Sequence, residues 1–256
     1  MTIRNYWECI LPDGENTPPL QRIVGESTTL ARQHFSSWQF DANGEDLKGA
    51  EFACMGFATS DIRAIVHLVK LRGRPSFYLH SAFPWLAAGA PVRLTLYDAD
   101  TDHFGLEGFV NAGIDGGPSV TFFDPLYALK KGAYKIGSEH NFYLGALSLD
   151  LRLAASEPDT SQAKILARAA DDASDYYFFR GAVRSIRNTD FLDRPFLVFR
   201  TAVVGLDGDD LAVDIYVDRA RFQKRAVPAA GDMVSGRLWL QGCLAEREGF
   251  EPSVEL

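Results

Sequence analysis

Two stretches of this chain can be laid on each other without a gap, residues 120–151 on residues 214–245. Asp124 then falls on Asp218, Lys130 on Lys224, Gly137 on Gly231 and Leu144 on Leu238, while Lys131 meets Arg225. Each copy reads as a strand, an Asp, a basic connection, a turn opened by Gly and a polar residue, and a long final strand. The identities are few, so the expectation rests on the shared order of these features. A duplicated unit constrains architecture before any other feature does, because both copies must bury their apolar faces in a related way.

The rest of the chain supports a β-rich reading. Residues 61–72 are rich in Ile, Val and Leu and are bounded by turn residues. Over 92–97, Val92, Leu94 and Leu96 alternate with Arg93, Thr95 and Tyr97, the period of a half-buried strand. Residues 106–114 and 119–123 flank Asp115-Gly116-Gly117, a hairpin turn. Residues 141–153 close the first copy. In the second half, 176–187, 195–204 and 211–217 read as strands, and 207–210 turns the chain between the last two. The stretch 233–245 is the closing strand, with Val234, Leu238, Leu240 and Leu244 on one face together with Gly236 and Gly242.

Two segments read as helical. Residues 161–172 space Ile165, Leu166, Ala169 and Ala170 along one stripe, and Thr160 or Ser161 can cap it. Residues 82–89 can hold one helical turn that starts around Pro84 and stops at Gly89. The resulting fold class is mainly β, with two small antiparallel barrel-like modules in tandem joined by a helix. The boundaries are 1–50 for an N-terminal arm, 51–154 for the first module, 155–173 for the helical connector and 174–256 for the second module. Three consecutive strands, a connection and a closing strand with glycines make the second module resemble an oligonucleotide/oligosaccharide-binding (OB) fold. It departs from that pattern in having one long strand after Gly231 where two are needed, unless the strand bends around Gly242.

Composition excludes several function classes. The 256 residues carry a formal charge of −8, which disfavours non-specific attraction to nucleic acid or anionic lipid. No apolar run approaches the roughly 20 residues that span a bilayer. The start lacks the apolar core of a signal peptide. Cys9, Cys54 and Cys243 are an odd count at wide spacing, so they build no zinc knuckle and no disulfide framework. Free buried thiols fit a cytoplasmic protein.

No motif commits the chain to a reaction. There is no nucleophile elbow, phosphate-cradling loop or dinucleotide fingerprint. Asp98, Asp100, Asp102 and His103 begin like a calcium loop. That loop needs Gly at its sixth position and Glu at its twelfth, where this chain has His103 and Phe109. An oxygen-and-imidazole metal site at Asp98, Asp100, Asp102 and His103, with Glu107 nearby, stays open as a weak alternative and implies a metal-dependent hydrolase. The plain reading is a solvated acidic loop. No pair among His34, His67, His80, His103 and His140 has helical metal-site spacing.

The sharpest constellation is an aromatic and arginine face. Alternation puts Arg237, Trp239 and Gln241 opposite the leucines of the closing strand, and Tyr176, Phe178, Arg180 and Arg184 on one side of another. Arg221, Lys224 and Arg225 add local positive charge. Trp, Tyr, Phe and Arg together suit stacking on bases or sugars and also protein hot spots. The expected function is therefore a non-enzymatic cytoplasmic binding protein with no cofactor, whose partner is another protein or a second copy. Single-stranded nucleic acid or oligosaccharide binding by the OB-like half is the alternative.

Overall fold

The computed structural model describes residues 7, 10, 34–40, 50–58, 61–101, 105–114, 119–148, 150–154, 165–168, 175–191, 194–205, 210–223 and 225–245, and the structural statements concern these residues. Strands β1 (His34–Phe40), β2 (Ala50–Ala58), β3 (Ile62–Lys70) and β4 (Tyr78–Leu86) form a four-stranded antiparallel sheet in chain order. A second sheet has ten strands: β5 (Ala90–Thr101), β6 (Gly108–Gly113), β7 (Ser119–Asp124), β8 (Glu139–Ser148), β9 (Arg152–Leu153), β10 (Ile165–Arg168), β11 (Tyr176–Phe191), β12 (Arg194–Gly205), β13 (Asp210–Asp218) and β14 (Met233–Leu244). The one α-helix among the described residues, α1 (Tyr127–Lys130), is a single turn. Short 3₁₀ turns follow at Lys131–Ala133 and Arg219–Phe222. The mainly β expectation holds.

Neither helix read from the sequence is found among the described residues. Inside 161–172 the described residues Ile165–Arg168 form β10, which pairs antiparallel with β11 from Ile165↔Arg180 to Arg168↔Tyr177. The alanine-rich stripe had favoured a helix, and pairing with β11 overrides that weak local preference. No joining helix is present among the described residues. Pro84, read as a helix start, lies within β4 at the edge of its sheet. Proline is tolerated there because its missing N–H faces away from the ladder.

The OB-like barrel is not formed either. Strand pairings in the large sheet run round two circuits. One passes β11–β12–β13–β8–β14 and returns to β11, and the other passes β5–β6–β7–β14–β8 and returns to β5. Both circuits use β8 and β14. An OB barrel closes on strands from one segment, whereas here each half of the chain borrows its closing strand from the other. Two parallel ladders make the loan: β13 on β8 at Asp214–Tyr216, and β7 on β14 at Phe123–Gln241.

Inside this interlocked sheet the backbone pattern of one copy recurs in the other. Asp124 and Asp218 each end a strand and accept a hydrogen bond from the backbone two residues on, at Leu126 and Ala220, both at 2.8 Å. Gly137 and Gly231 both have positive φ, 78° and 95°. Only glycine adopts that conformation without strain. Gly137 N donates to Leu96 O at 2.7 Å, and Leu96 N donates to Ser138 O at 3.0 Å. Gly231 N donates to Val183 O at 2.8 Å, and Val183 N donates to Asp232 O at 2.9 Å. Just past Leu96 and Val183 each strand is bulged, between Leu96 and Asp98 and between Val183 and Ser185.

Two cores result. The first fills the circuits with Leu94, Leu96, Phe122, Phe142, Leu144, Phe199, Ile215, Leu238 and Leu240, among others. The second lies between the two sheets. There Ile62, Val66, Phe83 and Leu86 of the small sheet meet Phe123, Phe196, Tyr216 and Trp239 of the large one, with Trp7 and Ile10 from the N-terminal region. Strands β12, β13 and β14 are therefore buried on both faces. No helix among the described residues is long and apolar enough to cross a membrane.

Candidate functional site

The expected face divides in two when placed on the structure. Trp239 is fully buried. Its ring stacks on Tyr176 with centroids 6.4 Å apart and tilts against Phe123 at 5.4 Å. Its indole N–H donates to Asp175 at 2.6 Å. Gln241 is equally buried and clasps the end of β4, accepting from Leu86 N at 3.1 Å and donating to Pro84 O at 2.7 Å. These two residues hold the small sheet onto the large one and are closed to an outside partner. Alternation placed Trp239 correctly opposite Leu238 and Leu240. Only the second sheet reveals that this opposite face is covered.

An ionic clamp reinforces the same junction. Arg187 of β11 binds Asp61, which leads into β3, and donates to Tyr216 Oη at 3.0 Å. Tyr216 donates onward to Ala88 O at 3.0 Å. Asp214 is buried and takes both arms of Arg200, at 2.7 and 3.0 Å. Those hydrogen bonds to Asp214 raise the Arg200 pKa. Burial drives the Tyr216 hydroxyl far above its ordinary range. This is a structural network, because its charges are spent on one another.

Further along the same two strands the face emerges from under the small sheet. Phe178 is 53% exposed and lies directly across from Arg237, with Ala167 of β10 on its other side. In the next row, Arg180 sits across from Ser235, and Arg152 of β9 flanks Ser235 from the far side. Paired residues in a sheet share a face, so Arg152 and Arg180 bracket Ser235 at a Cα separation of about 10 Å, two strand spacings. Asp150 closes the first row by accepting from Arg237 N at 2.5 Å. The outer face of β9–β14–β11–β10 thus carries one exposed ring and three arginines.

Other expected members do not join this face. Arg184 was put beside Arg180 by simple alternation. The bulge after Val183 adds a residue there and breaks the period, and Arg184 stands exposed at the bulge. Arg221 lies in the 3₁₀ turn after β13 and Arg225 just beyond it. Lys224, Asp102 and His103 lie outside the described residues. Asp98 and Asp100 are on β5, exposed, and each accepts from the backbone N of the residue that follows it, at 2.8 Å.

Sequence reading ran 141–153 as one closing strand and so missed Arg152, which lies on a separate two-residue strand beside β14 after β8 ends at Ser148. It also missed a cluster under the small sheet. Glu107 Oε1 lies 3.9 Å from His67 Nδ1 and 3.8 Å from His80 Nε2, and His67 Nδ1 also contacts Ser81 Oγ at 3.2 Å. These residues come from three separate strand regions, so no spacing could signal them. Among the described residues no three His, Cys, Asp or Glu side chains are arranged to hold a metal ion. Compared with known proteins, the chain matches no family model, no curated protein and no solved structure.

Proposed function

We propose that this protein is a non-enzymatic, cytoplasmic binding protein that holds an acidic segment of another protein against the outer face of β9–β14–β11–β10. The observation that carries the reading is the adjacency of Phe178 and Arg237 in one row to Arg180, Ser235 and Arg152 in the next. An exposed aromatic ring with arginines in its own and the next row has the composition of a hot spot. Arginine binds carboxylates through two parallel hydrogen bonds, which gives such a face direction as well as affinity. The chain as a whole carries −8, and the three arginines concentrate positive charge on this face, which favours an anionic partner. The buried free thiol of Cys243 accords with a reducing compartment.

A photo-crosslinking amino acid in place of Phe178 tests the reading in lysate of the source cell, with the same group in place of the exposed Ile136 as control. The expected result is a discrete protein adduct at Phe178 only, lost when Arg237→Glu is added. Adducts that are identical at both positions, or none at Phe178, overturn it. An adduct destroyed by nuclease and not by protease transfers the face to nucleic acid.

A further inference from the structure

We propose that a second site, the groove between β9 and the connection from β13 to β14, binds a small amphipathic carboxylate with an unbranched apolar tail. The groove has a volume of about 340 Å³ and is lined by Leu151, Arg152, Leu153, Phe222, Arg225 and Ala226. That volume is at the small end of ligand pockets, which excludes a large cofactor. Leu151 and Phe222 belong to the core of the circuits, so the floor is the edge of that core left open. Leu153 and Val227, both 46% exposed, are among the large apolar side chains most open to water on this molecule, and both stand at this groove or next to it. Clustered exposed apolar surface of this kind marks a binding site more often than chance.

The repeat supports the same conclusion from a different direction. Where the first copy has Tyr127 and Tyr134, the second has Arg221 and Pro228. In the first copy the two tyrosine rings pack at 5.1 Å, and Tyr134 hydrogen-bonds Asp124. The equivalent Asp218 turns its second oxygen to Arg194 at 2.6 Å instead. The aromatic pair that covers the turn after β7 has no counterpart after β13, and the groove opens beside that second turn. Arg152 and Arg225 line the groove beside that apolar floor and give it two basic residues. A carboxylate head pairs with the guanidinium groups and the tail extends the core. The site goes beyond the face around Phe178 and shares only Arg152 with it.

Octanoate titration of the full chain, followed by backbone NMR shifts, tests the proposal. The expected result is a saturable shift confined to 151–153 and 222–226. Acetate, with no tail, and octanol, with no charge, bind about tenfold more weakly or worse. Arg225→Gln weakens octanoate about tenfold or more, and Ala226→Trp, at an exposed position, fills the groove and abolishes binding with an unchanged far-ultraviolet spectrum. Phe178→Ala leaves the titration unchanged, and Arg225→Gln leaves cross-linking at Phe178 unchanged, so the two sites fail independently. Shifts scattered over exposed apolar residues such as Ile136 and Tyr143 overturn the proposal. So do octanol binding as tightly as octanoate, octyl phosphate outcompeting it, or an Arg225→Gln variant that titrates like the parent.

Discussion

Trp239 donates its indole N–H to Asp175 at 2.6 Å, and both side chains are fully buried. A buried carboxylate is costly unless it is hydrogen-bonded. The bond therefore ties the indole orientation to the residue that leads into β11, and the ring in turn carries the contact with Phe123 and Tyr176. Trp239→Ala should cost about 3–5 kcal/mol, the range for a large aromatic removed from a core. Asp175→Asn keeps an acceptor for the indole and should cost less than Trp239→Phe, which removes the donor. Denaturant midpoints of the three variants give the order. An Ala variant with the parent's midpoint would show that the two sheets do not depend on this ring.

Gly137 and Gly231 should respond alike to the same change. Both have positive φ, and an added Cβ would meet no atom within 4 Å at either position. The cost of Gly→Ala is then pure backbone strain, about 1–2 kcal/mol for a left-handed residue. Equal losses of unfolding free energy for Gly137→Ala and Gly231→Ala are expected. A loss at one and none at the other would mean that the two turns are not energetically equivalent.

Asp124 makes stability depend on pH in an uncommon direction. Burial raises its carboxyl pKa, and this outweighs the hydrogen bonds from Tyr134 and Leu126 N and the nearby charges of Lys130 and His67. The folded state then holds a proton that the unfolded chain has already released. This one group's contribution is therefore greatest below the ordinary carboxylate value, about pH 4. It declines as pH rises towards the raised folded value and is level above it. Asp124→Asn removes that decline. Unfolding free energies of parent and variant across this window should diverge, the parent losing ground as pH rises. Parallel curves would show that the carboxylate ionises in the fold as freely as in the unfolded chain.

Cys243 should be inert in the native protein. Burial pushes its thiol up to about 12, and Asp124 adds to the shift. The thiolate is the reactive species, so iodoacetamide at neutral pH should leave the Cys243 peptide unmodified until denaturant is added. Mass mapping of that peptide reads the outcome. Rapid native labelling would place the thiol at the surface.

Alternation along single strands was legible and accurate. It put Leu238 and Leu240 in one core and Trp239 with Arg237 on the opposite face, and it put Phe178 on the same side of its strand as Tyr176. It failed at Arg184, where a bulge adds one residue and ends the period. It failed differently at 161–172, where Ile165 and Leu166, read as part of a helical stripe, pair with β11 within Ile165–Arg168 instead. In both places the deciding partner is a neighbouring strand, which a local pattern does not contain.

From the chain alone, then, the β character, the turn glycines and the duplicated order around Asp124/Asp218 and Gly137/Gly231 could be read, because each depends on a residue's own backbone preference or its nearest neighbours. The tertiary structure decided which of the outward faces stay outward. Trp239 and Gln241 lie on the same strand face as Arg237, yet the small sheet covers the first two and stops short of the third. Whether β8 and β14 close one circuit or two was also settled there, since sharing a strand is a pairing choice between distant segments. Arg152 reaches the candidate face in the same way, through a two-residue strand whose only reason to exist is Val234 and Ser235 beside it.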